Sequence, residues 1–128
     1  MNILGQKRGL KFGNLAFERI EKELFKLYEG AEYYNTKMQA DIVFAGLINN
    51  CYRKGVDPDF TYEQIFDFID DNQRNIEVVT EIAEVIRVYE NSKPMQEHIE
   101  RVKEAIETIQ KEQSNKKKVA GKRSKSSV

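Results

Sequence analysis

The sequence predicts a mainly α-helical protein of about five helices, with room for a short N-terminal β-hairpin and a disordered basic C-terminal tail. Three observations predict this class. Apolar residues recur at helical spacings of three and four through most of the chain. Turn-forming Gly, Asn and Pro residues separate these stretches. The segment 114–128 is rich in Lys and Ser and nearly devoid of apolar side chains, so it cannot bury enough surface to fold.

A single helical domain is expected over residues 1–113, followed by the tail at 114–128, because 128 residues suit one domain. The formal net charge of zero conceals an asymmetry. Residues 111–128 carry seven Lys or Arg and one acid, a balance of +6, so the rest of the chain sums to −6. The sequence therefore predicts an acidic folded body and a basic tail.

The N-terminal region combines a turn with a first helix. Residues 1–13 place short apolar groups around a Gly-containing polar turn, which is compatible with a hairpin. Asn14 is positioned to cap a helix that runs to about Tyr28 and ends at Gly30. The apolar positions of this helix are Phe17, Ile20, Leu24 and Leu27.

A second helix is predicted from Thr36 to Lys54, before Gly55. So much of its circumference is apolar that a central position is expected. Gly46 lowers its helix propensity and suggests a close helix–helix contact there. The predicted inner face is Met38, Ile42, Ala45, Ile48 and Tyr52, widened by Val43, Phe44 and Leu47.

The clearest local signal is "DFTYEQIFDFID". Thr61 and Gln64 fit the T-x-x-Q capping box, and Phe60 and Ile65 have the spacing of a hydrophobic staple. A short helix is therefore predicted to follow and to end near Asp71.

Two more helices are predicted. One runs from about Ile76 to Glu90, and Pro94 can begin the last helix, over 94–113. We expect the last helix to pack onto the one before it, because its seam is too short for an independent coiled coil. The predicted stripe of the fourth helix is Ile76, Val79, Ala83, Ile86 and Tyr89, and the seam of the last is Met95, Ile99, Val102, Ile106 and Ile109.

Few side chains suggest reaction chemistry. His98, the single histidine, lies off the apolar seam, which favours a surface position. Cys51 lies on an apolar helix face, where packing is the usual role. The acidic residues around the third helix are Asp57, Asp59, Asp67, Asp70 and Asp71. They lack the ligand order of a calcium loop, and turn formation explains them more simply. We therefore expect a non-enzyme with no catalytic, cofactor or metal site.

The expected location is the cytoplasm. One cysteine allows no intramolecular disulfide, which fits a reducing compartment. The first residues have no apolar run of signal-peptide length, and the longest run, "IVFAGLI", is too short to cross a bilayer.

Three motifs occur in a recognisable order: "LKFGNLAFERIEKEL" with an L-x-F step, "DIVFAGLINNCYRKG" with an AGL step, and "FTYEQIFDFID". In order and spacing, over about residues 10–71, the chain resembles the tail assembly chaperones of long-tailed bacteriophages and related prophages. The resemblance implies a helper in the host cytoplasm that binds the tape measure protein, keeps it soluble and brings tail tube subunits to it. It also implies a longer frameshift product, for which the codons of Lys116–Lys118 are the candidate slippery run.

Aromatic side chains are enriched at binding hot spots. The candidate partner-binding residues are therefore Phe12, Phe17, Tyr33, Tyr34 and Tyr89.

Two other interpretations stay open. The basic tail suits a small helical nucleic-acid-binding or regulatory protein, although the acidic body and the lack of aromatic residues in the tail weigh against it. The seam from Met95 to Ile109 suits a self-associating helical adaptor.

Overall fold

Five helices and one small hairpin form the described part of the computed structural model. It gives the backbone of residues 1–27 and 35–126 and the side chains of residues 1–23 and 36–115. The predicted mainly α class is confirmed. The elements are β1 (Asn2–Ile3), β2 (Gln6–Lys7), α1 (Asn14–Leu27), α2 (Asn35–Lys54), α3 (Tyr62–Asp71), α4 (Ile76–Glu90) and α5 (Lys93–Ser126).

The predicted N-terminal hairpin is present. Strands β1 and β2 pair antiparallel, with Asn2 opposite Lys7 and Ile3 opposite Gln6. Leu4 and Gly5, the two turn residues, have φ values of 55° and 77°. Two positive φ angles in succession match the twist of a two-residue hairpin. The fully buried Ile3 side chain anchors the hairpin in the core.

The start of α1 is capped by a residue that is distant in sequence. The buried side-chain oxygen of Asn49, Oδ1, accepts hydrogen bonds from the backbone N–H of Gly13 at 2.9 Å and of Ala16 at 3.1 Å. These are amides that the helix itself cannot satisfy. The prediction that Asn14 provides the cap is therefore corrected, because Asn49 of α2 supplies the acceptor.

Helix α2 is central, as predicted, because two core clusters form on different faces of it. Ala40, Val43 and Leu47 pack with residues of β1, α3 and α4, whereas Ile42 and Ala45 pack with α1 and with Tyr89. The prediction that Tyr52 belongs to the inner face is wrong. Its side chain is 74% exposed, whereas the neighbouring Cys51 is partly buried against the first core cluster.

Gly46 permits a close approach, but to a different element from the one expected. A Cβ atom at this position would lie 2.7 Å from Cζ of Phe12 and 3.1 Å from Cδ2 of Leu10. The backbone N–H of Lys11 also donates to the Gly46 carbonyl at 3.0 Å. The predicted helix–helix contact is therefore corrected to a contact with the extended segment 8–12.

Helix α3 begins as the sequence predicts. The Thr61 side chain accepts from the Gln64 N–H, and the Gln64 side chain accepts from the Thr61 N–H. Phe60 and Ile65 are both buried, so the residues of the predicted staple belong to the core. The helix ends at Asp71, where the prediction placed its end.

Helix α4 has the predicted bounds but a different inner face. Ile76 is 81% exposed, and Val79 and Ala83 are exposed as well, so the predicted stripe is wrong over its first half. Ile82 and Tyr89 are buried instead, with Val85 and Ile86 partly buried between them. Asn75 caps the helix by accepting from the amides of Glu77 and Val78.

Contacts within the chain define two units, residues 1–95 and residues 96–128. The predicted end of the helical domain at residue 113 stays a prediction. In the second unit α5 continues to Ser126, past that predicted end. Side chains from Ile99 to Asn115 are all exposed, so the expected burial of the last seam is corrected from Ile99 onward, whereas Met95, its first residue, is partly buried beside the second core cluster. The disorder predicted for residues 114–128 remains a prediction.

Candidate functional site

A polar cluster around Asp41 joins α1, α2 and α3. The buried Asp41 carboxylate accepts a hydrogen bond from the Tyr62 hydroxyl at 2.7 Å and contacts Nζ of Lys37 at 2.8 Å. Nζ of Lys37 also contacts the Glu23 carboxylate at 2.8 Å. Arg19 lies over the Phe44 ring at the same cleft, which measures about 250 Å³.

The protonation of this cluster indicates a structural role. Burial and the hydrogen bond to Asp41 raise the pKa of Tyr62 above its ordinary value. Burial lowers the pKa of Lys37, but its hydrogen bonds to Asp41 and Glu23 outweigh that effect, so the net shift is upward. Both groups therefore hold their protons near neutral pH, and neither is poised as a base or a nucleophile.

A groove lies between the extended segment 8–12 and α4. It consists of two adjoining clefts of about 340 and 550 Å³ that share Leu10, Phe12 and Val88. Val85 completes the apolar floor, and Val88 on α4 is 48% exposed. We call this feature the N-terminal groove. Its charged rim is formed by Lys7, Arg8, Lys11, Glu84, Arg87 and Lys93.

Two cations of the rim are held by carboxylates. Arg8 forms an ion pair with Asp59 and lies over the Phe60 ring at 5.3 Å, so its position is fixed by the body of the protein. Arg87 pairs with Glu84 at 2.6 Å along α4, and Arg87 lowers the pKa of that carboxyl. The rim is therefore ordered in part by contacts of its own.

A second apolar surface runs along α5. Ile99, Val102, Ile106 and Ile109 are between 43% and 53% exposed and follow one another at spacings of three, four and three. We call these four residues the α5 stripe. Single exposed apolar residues are ordinary on protein surfaces, but a continuous row at coiled-coil spacing is typical of a contact surface.

Comparison of the chain with protein-family models, with curated proteins and with solved structures gives no match in any of the three. Among the described residues no helix is both long and apolar enough to cross a membrane.

The predicted partner-binding residues are distributed differently from expectation. Phe12 lies on the floor of the N-terminal groove, with its ring 5.6 Å from that of Tyr89. Phe17 is partly buried beside the second core cluster. Tyr89 is only 4% exposed, so its role as an exposed contact is corrected to a core position. Tyr33 and Tyr34 lie outside the described residues.

The side chains considered for chemistry also have positions in the structure. Cys51 is partly buried against the first core cluster. His98 is partly buried rather than fully on the surface. Within residues 1–27 and 35–126, no group of three or more His, Cys, Asp or Glu side chains could hold a metal ion.

Sequence reasoning missed the groove because its two walls are distant in sequence. Lys11 and Val88 carry no local signal that relates them, since neither belongs to the predicted inner face of a helix. The regular spacing of the α5 stripe was predicted from the sequence. The stripe was expected to be buried, but its side chains are exposed. Periodicity identifies which residues share a helix face, whereas only the packing decides whether that face is covered.

Proposed function

We propose that this chain is a tail assembly chaperone of the long-tailed phage type, which binds the tape measure protein and keeps it soluble without acting as an enzyme. The observation that carries the proposal is the exposed α5 stripe. The order of motifs over about residues 10–71 supports it from the sequence.

The stripe is suited to a long helical client with apolar stripes of its own. Its four side chains extend over ten residue steps of α5, a length of about 15 Å, so two client turns or more can lie against it. Side chains at coiled-coil spacing insert between those of a facing helix. Covering such a row on the client lowers the exposed apolar area that leads to aggregation.

The residues that flank the stripe carry no excess of one charge. Lys103 and Glu112 are of opposite sign, and the other flanking positions on the helical repeat are Gln96, His98, Ala105 and Gln110. Charged flanking positions set partner choice, so a flank with both signs favours neither an acidic nor a basic client. A carrier that must bind many successive segments of one long protein needs such tolerance.

The test is co-expression with the longest helical protein encoded just downstream. We expect that protein to become soluble and to co-purify with this chain. The Ile99→Gln/Ile106→Gln variant should lose the client, because two polar groups then interrupt the stripe. The matched control is Glu100→Gln/Glu107→Gln, which installs the same residues one position further along α5 and should retain the client.

Three results would contradict the proposal. The client could stay insoluble with the wild-type chain, the stripe variant could bind as well as wild type, or both variants could lose binding equally. Removing residues 114–128 distinguishes the proposed function from the alternative, which is nucleic-acid binding through the basic tail. Loss of binding on that truncation, reproduced by nuclease treatment of the wild-type complex, would favour a nucleic-acid contact through the basic tail instead.

A further inference from the structure

We propose that the N-terminal groove binds an acidic amphipathic helix of a partner protein. The inference concerns a different surface from the α5 stripe and does not depend on the identity of the client.

The first step is the segregation of charge. Residues 1–95 contain twelve Lys and Arg against sixteen Asp and Glu, a formal charge of −4. The residues that line the groove contain five Lys and Arg against one Glu, and Arg8 is also paired with Asp59, so the formal charge at the groove is +3. An acidic unit therefore concentrates positive charge along the N-terminal groove. Such a field attracts an acidic partner and repels a basic one.

The second step is the direction of that charge along the groove. The larger cleft is bordered by Lys11, Arg87 and Lys93, and its lining has no acid. The opposite end, beside Lys7, also meets Glu81 and Glu84. The acidic side chains of the partner should therefore face the larger cleft. This polarity gives the bound helix a preferred orientation.

The third step is the shape and chemistry of the floor. The groove follows α4 from Glu84 to its C-cap residue, Asn91, seven residue steps or about 10 Å. That length matches two turns of a bound helix with anchors at i, i+3, i+4 and i+7. The floor is made of Leu10, Phe12, Val85 and Val88, which favour aliphatic anchors.

An added β-strand suits the groove less well than a helix. Strand addition needs free backbone donors and acceptors along an edge. In the extended segment, the N–H of Lys11 already donates to the Gly46 carbonyl, and the N–H of Arg8 donates to the Met1 carbonyl. The side chains, rather than the backbone, are what this wall presents.

The experiment uses the full chain and a fluorescein-labelled 18-residue peptide with Leu at i, i+3, i+4 and i+7 and Glu at the polar positions. Fluorescence anisotropy measures binding. Two further peptides serve as comparisons: the same Leu pattern with Lys in place of Glu, and the same composition with the Leu order scrambled. Methyl NMR of the valines reports whether the resonances of Val85 and Val88 shift.

We expect the acidic amphipathic peptide to bind at least tenfold more tightly than either comparison peptide, with an affinity that falls severalfold between 50 and 300 mM salt. The Lys11→Glu/Lys93→Glu variant should weaken binding roughly tenfold or more, because two attractions become repulsions. The matched control, Lys22→Glu/Arg74→Glu, makes the same change of charge at exposed positions outside the groove and should bind within twofold of wild type.

Several results would overturn the proposal. The acidic peptide could fail to bind at millimolar concentration, or the scrambled or basic peptide could bind equally well. The rim variant and its control could lose affinity for the peptide equally, or the methyl resonances of Val85 and Val88 could stay unshifted when the peptide is added. Preferential binding of a labelled single-stranded oligonucleotide at the same rim would assign the charge to nucleic acid instead. Failure of the peptide to bind the N-terminal groove would leave client binding by the α5 stripe unaffected, so the two proposals fail separately.

Discussion

Replacing Tyr89 by Phe should raise the stability of the protein. The Tyr89 hydroxyl is buried, and within the described residues it has no hydrogen-bond partner. A buried polar group without a partner costs about 1–3 kcal/mol of folding free energy. Phe removes that group and keeps the aromatic ring beside Phe12, at a centroid distance of 5.6 Å in the native protein. After a small loss for the vacated volume, we expect the free energy of unfolding to rise by about 1 kcal/mol.

Tyr62→Phe is the matched control, because the same atom is removed from a hydroxyl that does have a partner. The Tyr62 hydroxyl donates to the buried carboxylate of Asp41 at 2.7 Å. Hydrogen bonds to charged groups contribute about 1.5–3 kcal/mol. Tyr62 is partly exposed, so we expect a fall near the lower value, about 1.5 kcal/mol.

The assay is urea unfolding followed by far-UV circular dichroism, with wild type and both variants at pH 7. Equal slopes in urea mean that midpoint shifts report stability directly. The opposite signs of the two changes are the critical result. If Tyr89→Phe lowers stability by 1 kcal/mol or more, the Tyr89 hydroxyl is hydrogen-bonded in solution, and the reasoning from its missing partner is wrong.

Three further predictions concern the packing and the titration of the same core. Gly46→Ala should destabilise the protein by about 1 kcal/mol, because the collision with Phe12 outweighs the gain in helix propensity; unchanged urea midpoints would mean that the Phe12 ring moves aside freely. Asn49→Ala should cost about 2 kcal/mol, since the amides at the start of α1 lose their buried acceptor, and a loss below 0.5 kcal/mol would show that water replaces it. Stability should fall as pH rises above about 10, because the folded state raises the pKa values of Tyr62 and Tyr89 and the unfolded chain releases those protons first. Urea titrations from pH 8 to 11 would test this, and the double Phe variant should show a shallower decline.

Several features of the fold follow from local sequence. The capping box at Thr61 and Gln64 forms within four residues, so the tertiary structure had little to add to it. The bounds of α4 and the turn of the N-terminal hairpin are likewise encoded by nearby Asn and Gly residues. Such signals are reliable because both partners of each interaction lie in one short stretch of chain.

Other features needed the tertiary structure. Asn14 has the residue type of a helix cap, yet Asn49 provides the acceptor because α2 passes beside the start of α1. In α4, β-branched and aliphatic residues cover most of the circumference, so periodicity alone could not select Ile82 over Ile76 as the buried side.

By itself the sequence determined the helix count, the helix starts that have local caps, the acidic body with its basic tail, and the apolar pattern of α5. The tertiary structure decided which apolar faces are covered. It brought Lys11 and Lys93 to the rim of one groove, although they are far apart in the chain. The physical reason is that helix and turn propensities act over a few residues, whereas burial and charge clustering depend on which distant segments pack together.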